Sequence, residues 1–140
     1  MMKAEFPLAV HALVYLLHTQ RFTTSAELAG NICTNSARVR KVLSKLHHAG
    51  LVEAERGKGS GYRCLPMTGV VTLKQVMQAL AEEPISMNWR SGDMNKECLI
   101  SSGMGRIMDQ LYHTLNLKCM DWLEGETIAN ISDRIFGTKE

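Results

Sequence analysis

Between Ser36 and Leu65 the hydrophobic pattern changes period around a glycine-rich pentad, and few folds accommodate that change. Val39, Val42, Leu43 and Leu46 recur at i, i+3, i+4 and i+7, which places them on one buried face of a helix. Gly50 ends that helix. Leu51 to Glu55 is strand-like, Gly57-Lys58-Gly59-Ser60-Gly61 is a flexible turn, and Tyr62 to Leu65 returns as a second strand that Pro66 closes. A helix running straight into a long-tipped β-hairpin is the second half of a winged helix-turn-helix.

The preceding residues supply the first half. Phe6 to His18 carries a wide apolar stripe through Ala9, Val10, Leu13, Leu16 and Leu17, the pattern of a first helix. Thr24 and Glu27 have the spacing of a capping box, which starts a short second helix burying Leu28, Ala29 and Ile32. Cys33-Thr34 forms the turn, and Thr34, Asn35 or Ser36 can cap the third helix, which runs to His48. The predicted class is mainly α with a small β-hairpin wing.

In such a fold the second helix braces the third, whose N-terminal residues meet base edges in the major groove. That end here reads Thr34-Asn35-Ser36-Ala37-Arg38-Val39-Arg40-Lys41, followed by Ser44 and Lys45. Arg binds guanine bidentately and Asn reads adenine, while the other cations and the helix start hold phosphates. The hairpin adds Arg56 and Lys58, with Gly59, Ser60, Gly61 and Tyr62 beside them. Glycine permits close approach to a phosphate chain and lets a basic side chain enter a narrow minor groove. A charged helix face alone is commonly a solvated face, and a glycine-rich tip a plain turn. Charge distribution favours the interface: residues 1–66 hold nine Lys/Arg and four Asp/Glu, whereas 67–140 hold seven and ten.

Beyond the hairpin, Thr72 and Gln75 offer a second capping box for a fourth helix through Leu73, Val76, Met77 and Leu80, ending before Pro84. Residues 84–103 read as a long loop with a possible helical turn near Cys98. A longer helix is predicted from Met104 to about Leu123, its seam formed by Met104, Ile107, Met108, Leu111, Leu115 and Trp122 and interrupted at Lys118. Ile128, Ile131 and Ile135 suggest a last helix capped by Thr127. The expected organisation is 1–83 DNA-binding, 84–103 linker and sensor loop, and 104–140 dimerisation and C-terminal helices.

Thr34 through Leu46, then Ala49-Gly50-Leu51-Val52, then Gly57 through Tyr62, and later Val71 through Leu80, resemble the Rrf2 family of bacterial winged-helix regulators. The run Cys33-Thr34-Asn35 with Arg38 to Leu46 looks most like its YwnA-type branch. The resemblance covers residues 5–83 closely and the rest loosely. It implies a homodimer built on the long helix, repression of transcription, and a pseudo-palindromic duplex operator. The sequence agrees: the 104–123 stripe exceeds what a small domain needs, and one recognition helix reads few bases.

Family members that sense iron–sulfur status carry three closely spaced cysteines before the dimer helix. This chain has only Cys98 there, with Cys33, Cys64 and Cys119 elsewhere, so no iron–sulfur cluster is expected. Cys98, near Lys96 and opposed by Glu97, is a candidate redox or nitrosative sensor, or else an inert thiol packed against the dimer helix. In the latter case a small-molecule ligand or a partner protein would carry the signal. The other three cysteines are expected to be buried small apolar residues.

No metal-ligand spacing, nucleophile–base motif or paired carboxylates stand out, so neither a metal site nor an enzyme is expected. The glycine pentad lies between strands and lacks the GxxxxGK[ST] order of a phosphate loop. No apolar run is long enough to cross a membrane, and no signal-peptide pattern opens the chain, so a cytoplasmic protein without membrane partners is expected.

Overall fold

The computed structural model describes residues 5–56 and 61–137. Three helices open the fold: α1 (Glu5–Thr19), α2 (Ser25–Ile32) and α3 (Ser36–His48). The Thr24 hydroxyl accepts the Glu27 amide and caps α2. The Glu27 carboxylate does not return to complete the box; it turns to Arg21 and Tyr15 instead. At the end of α2, Cys33 adopts a left-handed conformation with φ +67°, and the amides of Cys33 and Thr34 both reach the Ala29 carbonyl. This compact turn sets α3 against α2.

Asn35 is the residue that caps α3, its side-chain oxygen accepting the Arg38 amide at 2.8 Å. Gly50 ends the helix at φ +76°, the αL conformation that side chains resist, so the chain reverses into the hairpin there. Strands β1 (Val52–Ala54) and β2 (Tyr62–Cys64) pair antiparallel with Val52 opposite Cys64 and Ala54 opposite Tyr62. A 3-10 turn at Thr68–Val70 leads to α4 (Leu73–Ala79), where Thr72 and Gln75 form the full reciprocal capping box.

The long helix α5 (Leu99–Glu124) begins five residues before the expected Met104. The expected 84–103 loop is therefore shorter, and its last five residues are helical. Gly103 and Gly105, poor helix formers, disguise this start in the sequence. The Arg90 guanidinium packs where a Cβ on Gly105 would be. Arg90 also pairs with Asp109 at 2.9 Å, the Asp93 amide donates to the Ser101 carbonyl, and Asn116 bonds both backbone groups of Ile85, so the 84–98 segment is fastened to α5 at several points.

After Gly125 the chain turns into α6 (Ile128–Phe136), capped by Thr127 and packed on α1. Main-chain bonds from Leu73 to Glu126 and from Ile128 to Val71 sew this junction to the start of α4. One hydrophobic core collects Leu13 and Leu16 of α1, Leu28 of α2, Val39 to Leu46 of α3, Val52 and Cys64 of the hairpin, and Val76 and Met77 of α4. Leu123 of α5 and Ile128 of α6 join the same core. Among the described residues, no helix is long and apolar enough to cross a membrane.

Candidate nucleic-acid interface

With Val39, Val42, Leu43 and Leu46 turned into the core, helical geometry presents Ala37, Lys41 and Ser44 outward. Arg38, Arg40, Lys41 and Ser44 are all exposed. Arg40 occupies the flank toward α2 and the hairpin, where its guanidinium reaches the Ser25 hydroxyl at 3.4 Å. Lys45 lies on the opposite flank, against the start of α1. Thr34, Asn35 and Ser36 surround the helix start. The Asn35 side-chain oxygen is engaged in its cap, which leaves its NH2 group for a ligand.

Val39, counted from the sequence among the DNA-contacting residues, is wholly buried and cannot touch a duplex. Its place is fixed by the same i, i+3, i+4 register as Val42 and Leu43, so its contribution is to the packing beneath the surface. Lys41 and Lys45 also differ from a freely solvated face. Glu5 pairs with both, at 3.5 Å and 2.7 Å, across a span no local sequence pattern signals. The hydrogen bond from Lys45 is the chief cause that holds the Glu5 carboxyl below the usual carboxylate range, against an opposing effect of burial.

Lys58, Gly59 and Ser60 fall outside the described residues; Arg56, just before them, is exposed. At the hairpin base Gly61 is buried, and a Cβ there would collide with the Thr23 carbonyl. Tyr62 is half-buried, and burial pushes its phenol up while the Arg40 charge pulls it down. Sequence reasoning missed Arg63, which lies over the Phe22 ring at 4.5 Å and pairs with Glu53 at 3.1 Å, joining the hairpin to the α1–α2 connection. Glu53 and Arg63 are opposite one another in the strand register, which was the available signal.

On α5 the described side chains leave Met104, Ile107, Leu111, Leu115 and Trp122 exposed, with Met108 partly covered. Ile100, one turn before Met104, continues this stripe and was not anticipated, while Leu99 and Leu117 are exposed on another side of the helix. The helix buries only Gly105, Asn116 and Leu123.

Cys98 is exposed and stands at the N-cap of α5. Backbone amides of Ser101 and, less strongly, Ile100 hold its thiol below the usual range. The helix start, rather than Lys96, is what favours the thiolate. Cys33 is exposed, contrary to the expectation of burial, because the left-handed turn swings it out of the core. Cys64 is buried and Cys119 half-buried.

Similarity to solved structures follows the same architecture. A Lactobacillus plantarum protein classed by inference as a transcriptional regulator superposes with a TM-score of 0.83 at 21% identity, over 97% of this chain and 92% of that one. CymR (YrzC), the global cysteine regulator of B. subtilis, gives 0.68 at 14% identity, covering 96% and 97%. T. potens IscR gives 0.70 at 12% identity, covering 100% and 93%. Among curated protein sequences, none matches the chain at a significant level.

A family model described as Rrf2, iron-dependent transcriptional regulator, matches residues 2–134. It assigns the family and not a branch within it. Among the described residues no three His, Cys, Asp or Glu side chains gather as a metal site. The cysteines other than Cys98 lie on the α2–α3 turn, on β2 and late in α5. A cluster takes about three or four protein ligands, and the described residues do not gather that many at one place. From the match over nearly its whole length, the chain belongs to the Rrf2 family of transcriptional regulators.

Proposed function

We propose that this regulator is a cytoplasmic, sequence-specific DNA-binding protein that represses transcription as a homodimer on a pseudo-palindromic operator. The observation that carries the reading is the exposure of Arg38, Arg40, Lys41 and Ser44 on one helix, with Arg56 exposed beyond the first strand of the neighbouring hairpin. Arg38, Arg40 and the Asn35 amide meet base edges; Lys41, Lys45, Thr34 and Ser36 meet phosphates. The hairpin tip follows the adjacent groove, with Gly59 and Ser60 beside the backbone and Gly61 and Tyr62 as its base. Two such surfaces, related by a two-fold axis through the apolar stripes of paired α5 helices, read two half-sites.

Cys98 is the proposed sensor. Its thiolate sulfur attacks one oxygen of a peroxide; the O–O bond breaks, hydroxide leaves, and the sulfur is oxidised to a sulfenic acid as the peroxide is reduced. The polar product at the start of α5 would shift the helix and hence the spacing of the recognition helices. A second reading, in which a small molecule carries the signal and Cys98 is only structural, is favoured by the apolar groove of about 640 Å³ between α1 and α6.

The test is a gel shift of the protein against the promoter of its own gene at several salt concentrations. Binding that weakens steeply with salt is expected, because phosphate contacts release counterions. Salt-insensitive binding, or none, would remove the reading.

A further inference from the structure

Glu5 opens α1, forty residues from Lys45 in the chain, yet its carboxylate sits among recognition-helix cations. One oxygen accepts from Lys45 Nζ at 2.7 Å and the other lies 3.5 Å from Lys41 Nζ. Arg38 borders the same hollow. The Glu5 side chain is only 16% exposed, whereas those of Lys45 and Lys41 are 37% and 68% exposed. The carboxylate is therefore anchored, and the lysines are the movable partners. Its pKa is lowered, chiefly by the Lys45 hydrogen bond, so it stays charged at neutral pH.

We propose that Glu5 is a built-in competitor for DNA phosphate: it holds Lys45 and Lys41 to the body of the protein and so attenuates sequence-blind binding. The inference rests on the DNA-binding reading above. A phosphate oxygen and the Glu5 carboxylate seek the same ammonium groups, and each lysine released to DNA first breaks an ion pair. Non-specific affinity is almost wholly the sum of such cation–phosphate contacts, so tethering two cations lowers it directly. Arg38 and Arg40 make no ion pair with Glu5, and base reading through them is untouched.

The experiment compares the intact protein with Glu5→Gln on a random-sequence duplex across a salt series. Glu5→Gln should bind roughly three- to tenfold more tightly at low salt, and the slope of log affinity against log salt should steepen by about one to two units. Asp133→Asn, which makes the same net charge change on α6, should shift affinity less and leave the slope unchanged. In a Lys41→Met/Lys45→Met background, Glu5→Gln should do no more than Asp133→Asn does. If the Gln variant does not fold, Glu5→Asp keeps a charge at the helix start but draws it back from Lys45, and should give a smaller tightening of the same sign. Unchanged affinity in the Glu5 variants, an effect equal to that of Asp133→Asn, or the full effect persisting without the two lysines would each overturn the proposal. Failure of the unaltered protein to bind any duplex in a salt-dependent way would instead defeat the DNA-binding reading, and this inference with it.

Discussion

Thr23 and Tyr62 exchange both of their main-chain hydrogen bonds, the Thr23 amide to the Tyr62 carbonyl at 2.8 Å and the Tyr62 amide to the Thr23 carbonyl at 2.9 Å. Thr23 thus forms a single antiparallel bridge to the hairpin, and the wing is held to the helix-turn-helix by backbone as well as by side chains. Gly61 makes the approach possible. Gly61→Ala should therefore break this pairing, lower stability by about 1–3 kcal/mol, and weaken duplex binding. Urea denaturation with a parallel gel shift checks it, and wild-type stability would show that the backbone relaxes at little cost.

Arg40→Ala and Lys58→Ala should weaken duplex binding with little change in stability, the first by relaxing specificity and the second by reducing the salt slope by roughly one unit if it removes one phosphate contact. Val39→Ala should do the opposite, lowering stability by about 1–3 kcal/mol while the folded fraction keeps its affinity. Fluorescence anisotropy with a labelled duplex, alongside thermal unfolding, separates the two patterns.

Glu27 predicts a pH dependence. Hydrogen bonds from Arg21 first, and then from Tyr15, hold its carboxyl below the usual range. A carboxylate favoured by folding contributes stability above its unfolded pKa, and that contribution disappears as pH falls through its lower, folded pKa. Unfolding midpoints measured from about pH 6 down to about pH 3 should fall for the unaltered protein. For Glu27→Gln they should start lower and fall less. Parallel curves for the two proteins would contradict this account.

Leu111, half exposed on α5, tests the pairing of subunits. Leu111→Glu would place a charge in an apolar seam. It should convert a dimer to a monomer in sedimentation and weaken operator binding by at least about tenfold, since two linked half-sites bind far more tightly than one. A dimer that survives the substitution would move the interface away from this stripe.

Cys98→Ser should leave operator binding intact but abolish its response to hydrogen peroxide. Peroxide-dependent release that persists in the variant would transfer sensing to another group.

Much of the fold was legible because its cues are local. The 3.6-residue recurrence of Val39, Val42, Leu43 and Leu46, the stop at Gly50 and the Thr72–Gln75 box each act within one or two turns of chain. What stayed hidden depends on distant partners. The α5 start was obscured because Gly103 and Gly105 lower helix propensity, while the Arg90 side chain packed against Gly105 is a tertiary neighbour. The placement of Lys45 against Glu5 spans forty residues and has no periodic signature. Cys33 reads as a small apolar residue by type, yet its backbone conformation turns it to solvent. Val39 was legible twice, as a core residue and as a reader, and the helical register admits only the first.

The stitches between Val71–Leu73 and Glu126–Ile128 leave the end of α5 without a swivel. In the proposed dimer, any change in the angle at which two such helices cross would then be carried by the rest of each protomer moving as a lever. A displacement too small to notice at the helix start can become, at the far end of that arm, a mismatch with the pitch of the double helix.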